Sequence, residues 1–247
     1  MGLPYGLTDR IGSRATLGLI VLQADETIEQ EFRVMFRAGD VAMYVSRVPS
    51  AAEVTTDTLG AMEAELPRAV SLLPPSLDYD VVGYACTSGA TVIGPGRVAD
   101  LIRGAREVRA ATNPLSAVLA GLETLGARRI GLVSPYIATV TAPLIGALRA
   151  AGIEVGQAVS FDEREEARVA RIDPASIRAA ALEVGRRDDV EAVFLSCTNL
   201  RTVAIIDGLE AELGKPVISS NLALAWHMAR LAGTVCDVPV GRLMRAD

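Results

Sequence analysis

The 247-residue chain is poor in the residues that most metal, redox and nucleic-acid sites are built from. A single histidine, His227, excludes histidine-rich metal centres and leaves few acyl-transfer triads open, so no metal site is expected. Three cysteines, Cys86, Cys197 and Cys236, are an odd number without a C-x-x-C pair, which argues against a disulfide framework and predicts a reduced, cytoplasmic setting. Basic charge is also short, 24 Lys+Arg against 30 Asp+Glu, and nowhere clustered. The electrostatic footprint of a nucleic-acid binder is therefore missing. Long apolar runs are scarce as well. The opening residues show no basic region leading into an apolar segment, and the long uncharged stretch between Arg129 and Arg149 is broken by Ser134, Pro135, Thr139, Thr141 and Pro143. Neither a secretory leader nor a membrane span is predicted.

What the chain does have is apolar residues in half its positions, enough to bury one large or two small cores. Short β-branched runs alternate with segments of helical period, the pattern of parallel α/β architecture whose strands are covered on both faces. Strands are predicted at Leu17–Leu22, Val41–Ser46, Val81–Ala85, Arg129–Ser134, Glu154–Ser160, Ala192–Ser196 and Pro216–Ser219. Helices are predicted near Thr27–Ala38, Thr56–Leu72, Pro95–Arg103, Ser116–Leu125, Ala138–Ala151, Pro174–Gly185, Arg201–Leu213 and Leu222–Ala232. Several open on a capping residue or Pro and close on Gly, as at Asp173-Pro174 and at Gly126, Gly152 and Gly214.

Two segments resemble each other: Tyr84-Ala85-Cys86-Thr87-Ser88-Gly89 and Leu195-Ser196-Cys197-Thr198-Asn199-Leu200. Each is an apolar strand ending in Cys-Thr before a helix. Their cysteines lie 197 − 86 = 111 positions apart, close to half the chain. This predicts two pseudo-symmetric lobes, each a parallel sheet flanked by helices: residues 1–112 with 220–247 carrying Cys86, and residues 113–219 carrying Cys197.

Ligands of open parallel sheets bind beyond the carboxyl ends of the strands, where both motifs fall. A thiol at a helix N-terminus has its thiolate favoured, which would draw a pKa of about 8.5 towards neutrality. Thr87, Ser88 and Gly89, and on the other side Thr198 and Asn199, offer small polar groups to hold a carboxylate. The plainer reading of one cysteine at a strand end is a small buried hydrophobe, but the repeat favours a functional pair. Cys236 lacks that context and reads as structural. His227 and Trp226 belong to a helix body, and Arg201 to an exposed helix surface.

The segments GYACTSGAT and LSCTNLRT, with GLIVLQADETIEQEF near the start and Ser134-Pro135-Tyr136 between them, resemble the maleate cis–trans isomerases. Those are relatives of arylmalonate decarboxylase in the aspartate/glutamate racemase superfamily. The resemblance implies an oligomeric enzyme that needs no cofactor and closes two lobes on a small carboxylate. By the same likeness Cys86 attacks an alkene carbon, Cys197 handles the proton, and Tyr136 hydrogen-bonds the substrate carboxylate and developing enolate. Without the family, Tyr136 reads equally well as a packing aromatic. The racemases of the superfamily use such a pair to exchange a Cα proton. The decarboxylases keep one catalytic thiol, so two here argue against decarboxylation.

One stretch departs from the pattern. Where the isomerases carry a Pro-Ser-Ser-Asn-Thr type loop whose Asn donates to a substrate carboxylate, this chain reads Leu22-Gln23-Ala24-Asp25-Glu26-Thr27. An ionised Asp25 cannot donate, and would repel a carboxylate at 4 Å by about 4 kcal/mol at an effective dielectric of 20. Four possibilities stand: Asp25 is protonated, it binds an ammonium or amide, the substrate is not maleate, or Asp25 simply caps the following helix. The LQADETIE form also resembles the ectoine-utilisation A proteins. A second acidic run, Asp162-Glu163-Arg164-Glu165-Glu166, reads as a solvated loop.

Overall fold

The computed structural model describes residues 2–246. It contains two four-stranded sheets, both wholly parallel. The first is built from β1 (Ala15–Leu22), β2 (Val41–Val48), β3 (Tyr79–Ala85) and β4 (Val108–Thr112), in the order β2-β1-β3-β4. The second uses β5 (Arg129–Tyr136), β6 (Glu154–Glu163), β7 (Ala192–Leu195) and β8 (Val217–Ser219), in the order β6-β5-β7-β8. The two orders are the same once each sheet is numbered from its own first strand, which is the expected pseudo-symmetry.

Helices cover the sheets. In the first half these are α1 (Ile28–Met35), α2 (Thr56–Ser71), α3 (Thr87–Ile93) and α4 (Pro95–Ala105), then α5 (Pro114–Thr124) after β4. The second half adds α6 (Ala138–Ala150), α7 (Glu166–Val169), α8 (Pro174–Gly185), α9 (Val203–Leu213), α10 (Ser220–Leu231) and α11 (Gly241–Arg245). Leu17, Leu19, Ile20 and Val21 of β1 and Val193, Phe194 and Leu195 of β7 are fully buried, as strands covered on both faces must be. Helix α10 leaves the second sheet but lies against β3 and β4 of the first. It comes close at Gly83, where a Cβ would stand 2.7 Å from Met228 Sδ and displace the end of that side chain. Among the described residues no helix is long and apolar enough to cross a membrane.

Beyond shifts of one or two residues at element ends, three features differ from expectation. Helix α1 stops at Met35 rather than Ala38, because the Asp237 carboxylate takes the N–H groups of Arg37 (2.6 Å) and Ala38 (2.8 Å). Strand β6 runs three residues further, to Glu163, alongside β5, which itself continues to Tyr136. Strand β4 and helices α3, α7 and α11 are additional to the predicted set.

Candidate active site

Parallel register decides which loops meet. Val21 of β1 pairs with Ala85 of β3, so the residues after each strand, Asp25 and Cys86, leave the sheet side by side. Val133 of β5 likewise pairs with Leu195 of β7, bringing out Tyr136 beside Cys197. The two carboxyl edges face each other across a cavity of about 10 Å³, room for little more than one water. Its lining is Leu22, Asp25, Cys86, Thr87, Ser88, Tyr136, Glu166, Cys197 and Thr198.

Cys86 is the N-cap of α3, and its Sγ accepts from Gly89 N at 3.2 Å. A side chain at 89 would collide with Tyr84 Oη at 2.5 Å, so glycine is needed for that approach. Cys197 sits in a loop with φ of +153°, a conformation side chains rarely adopt and which costs about 1–3 kcal/mol. It is held there by Cys197 N donating to Ser220 Oγ (3.1 Å), by Asn199 N donating to its Sγ (3.2 Å), and by Asn221 Nδ2 donating to Thr198 O (2.8 Å). Ser220 Oγ also pairs with Thr87 Oγ1 at 2.7 Å, coupling the two cysteine loops.

Tyr136 donates its single hydroxyl proton to Glu166 Oε1 at 2.8 Å and lies 3.2 Å from Cys197 Sγ. With that proton committed, the thiol must be the donor to the tyrosine oxygen. Glu166, only 4% exposed, also accepts from Asn199 Nδ2 at 3.0 Å. The acidic run is thus not a solvated loop at its last member. Its backbone is tied across the lobes by Glu166 N to Ala52 O (3.1 Å) and Val54 N to Arg164 O (2.9 Å), which turns the side chain inward. The signal available in sequence was position, since the run follows a strand at its carboxyl end.

Asp25 has two roles, one for each oxygen. Oδ1 accepts from Thr27 N (2.8 Å) and Ile28 N (2.9 Å) and so opens α1, whereas Oδ2 is buried without a hydrogen-bond partner. Thr198 lies near enough to steady the carboxylate, but its hydroxyl donates to Ala85 O at 3.4 Å. Asn199 is not in the lining. Its amide stands behind the wall, accepting from Glu26 N (2.9 Å) and donating to Glu166, while Thr27 Oγ1 donates to its carbonyl (3.0 Å). A third buried acid, Glu31, braces the lobes by accepting from Thr202 N, Val203 N and Asn221 Nδ2.

Burial reverses the expected behaviour of the thiols. The Cys86 thiol, 6% exposed, is pushed up to about 12 by burial and by the Glu166 and Asp25 carboxylates, against the Gly89 N–H and the Tyr84 hydroxyl. Cys197 is raised well above its ordinary value by burial and then by Glu166, against Tyr136 and the Asn199 N–H. One short helix start cannot offset full desolvation plus two acids. Burial also raises Tyr136, Glu166 and Asp25. Outside the cavity, His227 Nδ1 pairs with Thr112 Oγ1 at 2.8 Å and stacks on Trp226, Arg201 is exposed, and Cys236 is half-buried beside Asp237. Among the described residues no group of His, Cys, Asp and Glu is placed to hold a metal ion.

Twin parallel sheets that each bring a cysteine to one hollow define a two-lobed α/β protein with a shared cysteine site. The chain belongs to the arylmalonate decarboxylase family, whose model matches residues 100–244. It is similar over nearly its whole length to the maleate isomerase of Geobacillus stearothermophilus: 27% identity over 240 residues, covering 90% of this chain and 94% of that protein. Among solved structures, maleate isomerase Iso from Pseudomonas putida S16 superposes with a TM-score of 0.83 at 26% identity, covering 93% of this chain and 98% of that one. A Nocardia farcinica maleate cis–trans isomerase mutant, solved with a covalently bound succinylcysteine intermediate, shares the fold with a TM-score of 0.86 at 23% identity over 94% of this chain and 99% of that one.

Proposed function

We propose that this enzyme is a maleate-isomerase-like cis–trans isomerase acting beside a carboxylate, with Cys86 as nucleophile and Cys197 as acid/base. The observation that carries the division of labour is the hydrogen-bonded line from Cys197 Sγ through Tyr136 Oη to Glu166. Cys86 has no such outlet: the nearby Tyr84 hydroxyl turns to the Met62 thioether at 3.6 Å.

Cys86 reacts as the thiolate, after losing its proton to solvent. Its sulfur bonds to one alkene carbon, the π pair moves to the carbon beside the carboxylate, and that carbon takes the Cys197 proton. A single bond now joins the two carbons and can rotate. The Cys197 thiolate then removes a proton from the same carbon, the double bond re-forms, and the C–S bond breaks. Tyr136 gives the Cys197 proton a second resting place on Glu166. Thr87, Ser88 and Thr198 supply hydroxyls to the bound carboxylate, and Asp25 faces the rest of the ligand.

Each of Cys86→Ser and Cys197→Ser is expected to lower turnover by about a thousandfold or more. On incubation with maleate or maleamate, mass spectrometry should find an adduct on Cys86 in Cys197→Ser and none in Cys86→Ser. Near-normal turnover by Cys86→Ser would sink the assignment.

A second reading, amino-acid racemisation by the same two thiols, is favoured by an acid, Asp25, at the end of the first strand. It requires solvent deuterium to enter Cα of aspartate or glutamate, and no exchange would dismiss it.

A further inference from the structure

The cavity is lined by two carboxylates, Asp25 and Glu166, and by no lysine, arginine or histidine. The nearest cation behind the wall is Arg47, and it is already spent. Its guanidinium donates to Leu22 O (3.0 Å), Gln23 O (3.1 Å) and Asp25 O (3.0 Å) and pairs with Glu29. Glu166 has both oxygens occupied, by Tyr136 and Asn199. Asp25 has one oxygen occupied and the other, Oδ2, buried at the cavity without a donor. A buried acceptor of this kind asks for an N–H or O–H group that the chain itself does not supply. A dicarboxylate brings only further negative charge to it.

We infer that the ligand of this site is a small monocarboxylate whose other end presents an N–H group, ammonium or amide, to Asp25 Oδ2, and that Asp25 is the residue selecting it over a dicarboxylate. The inference rests on the reading that the cavity between Cys86 and Cys197 is the substrate site. The single carboxylate takes the Ser88 hydroxyl and draws those of Thr87 and Thr198 from Ser220 Oγ and Ala85 O. An ammonium beside Asp25 also offsets the negative field of the two acids, the same field that opposes ionisation of the thiols. A ligand of this class therefore prepares the sulfurs for reaction, and a dianion does the reverse.

Three cis-but-2-enoates that differ only at the far end test this: maleate (carboxylate), maleamate (amide) and cis-4-aminocrotonate (ammonium). Binding is measured by calorimetry on the full chain and on Cys86→Ser, which needs no turnover. Aminocrotonate and maleamate are expected to bind about tenfold or more tighter than maleate. Asp25→Asn retains a side-chain oxygen for the Thr27 and Ile28 N–H groups, and its fold is checked by circular dichroism. It should lose about tenfold for aminocrotonate and gain for maleate. If Asp25→Asn fails to fold, Glu166→Gln supplies the second variant, which should narrow the preference for aminocrotonate over maleate. Equal or tighter binding of maleate by the unmodified chain, an unchanged order in the folded variant, or no binding of any of the three overturns the inference. Retained selectivity with turnover that survives Cys86→Ser would overturn the isomerase assignment and leave the selectivity standing. Maleate turnover that needs both cysteines, without selectivity, would do the opposite.

Discussion

The two cysteine centres start from the same local sequence, a strand ending in Cys-Thr, and end in different surroundings. Cys86 has ordinary extended backbone, with φ of −152°, and a sulfur fixed by one backbone N–H. Cys197 is held at φ of +153°, and its sulfur touches a tyrosine that leads to a buried glutamate. Duplication of a motif has thus placed two like atoms on either side of one cavity. Their neighbours, Met62 on one side and Glu166 on the other, separate a thiol without a tyrosine path to a buried acid from one that has it. Opposite roles need no difference in the cysteines themselves.

The comparison can be broken at the tyrosines. Tyr136→Phe removes the hydroxyl that joins Cys197 to Glu166 while preserving the ring, and should lower kcat by about a hundredfold or more with little change in KM. Tyr84→Phe should alter kcat severalfold at most. Equal losses in both variants, measured by steady-state kinetics, would erase the distinction.

It can be sharpened by alkylation. Iodoacetamide captures thiolate, so the labelling rate of Cys86 should climb about tenfold per pH unit through the alkaline range, towards its pKa of about 12. Glu166 opposes ionisation of both thiols, and through Tyr136 it is hydrogen-bonded towards Cys197. In Glu166→Gln a negative charge is gone, thiolate forms more readily, and both profiles should move to lower pH, Cys197 further. Mass spectrometry of peptides labelled across a pH series reads the order directly.

The smallest effect concerns the backbone. Replacing alanine by glycine ordinarily costs about 0.4–1 kcal/mol, because glycine has more freedom to lose on folding. At position 86 that order should hold, with Cys86→Ala more stable than Cys86→Gly. At 197 it should vanish or invert, since only glycine relaxes at that φ. Urea denaturation of the four variants decides.

Much of this was legible in the sequence. Among the described residues, the β-branched runs marked seven of the eight strands: the central ones, such as β1, β5 and β7, are buried on both faces and need no polar alternation, while β6 at a sheet edge alternates between exposed and half-buried positions. Strand β4, Val108-Arg109-Ala110-Ala111-Thr112, carries little β-preference of its own and exists by pairing with β3. Helix α3 is a seven-residue segment whose first four positions are small or hydroxyl-bearing, too short for a periodic face, so a helix is expected after Cys86 but its range, Thr87–Ile93, is not marked out. The cysteine repeat and Asp25 were visible because strand ends project to one edge of a parallel sheet. Glu166 was not, since DEREE has the composition of a solvated turn, and only the tie from the segment near Ala52 in the other lobe buries its last member. The thiol acidity was misjudged for a related reason. A helix start is local and can be read from spacing, whereas desolvation by nine residues drawn from both lobes is not.

Holding both sulfurs protonated and walled in has a consequence for durability. Peroxides and disulfides attack or exchange with the thiolate, and they need access to it. Cys86 and Cys197 offer neither between turnovers, so this pair should stay reduced under oxidant exposure that would consume an acidic surface thiol. The walls that form the cavity would thus also shield its two sulfurs from oxidative wear.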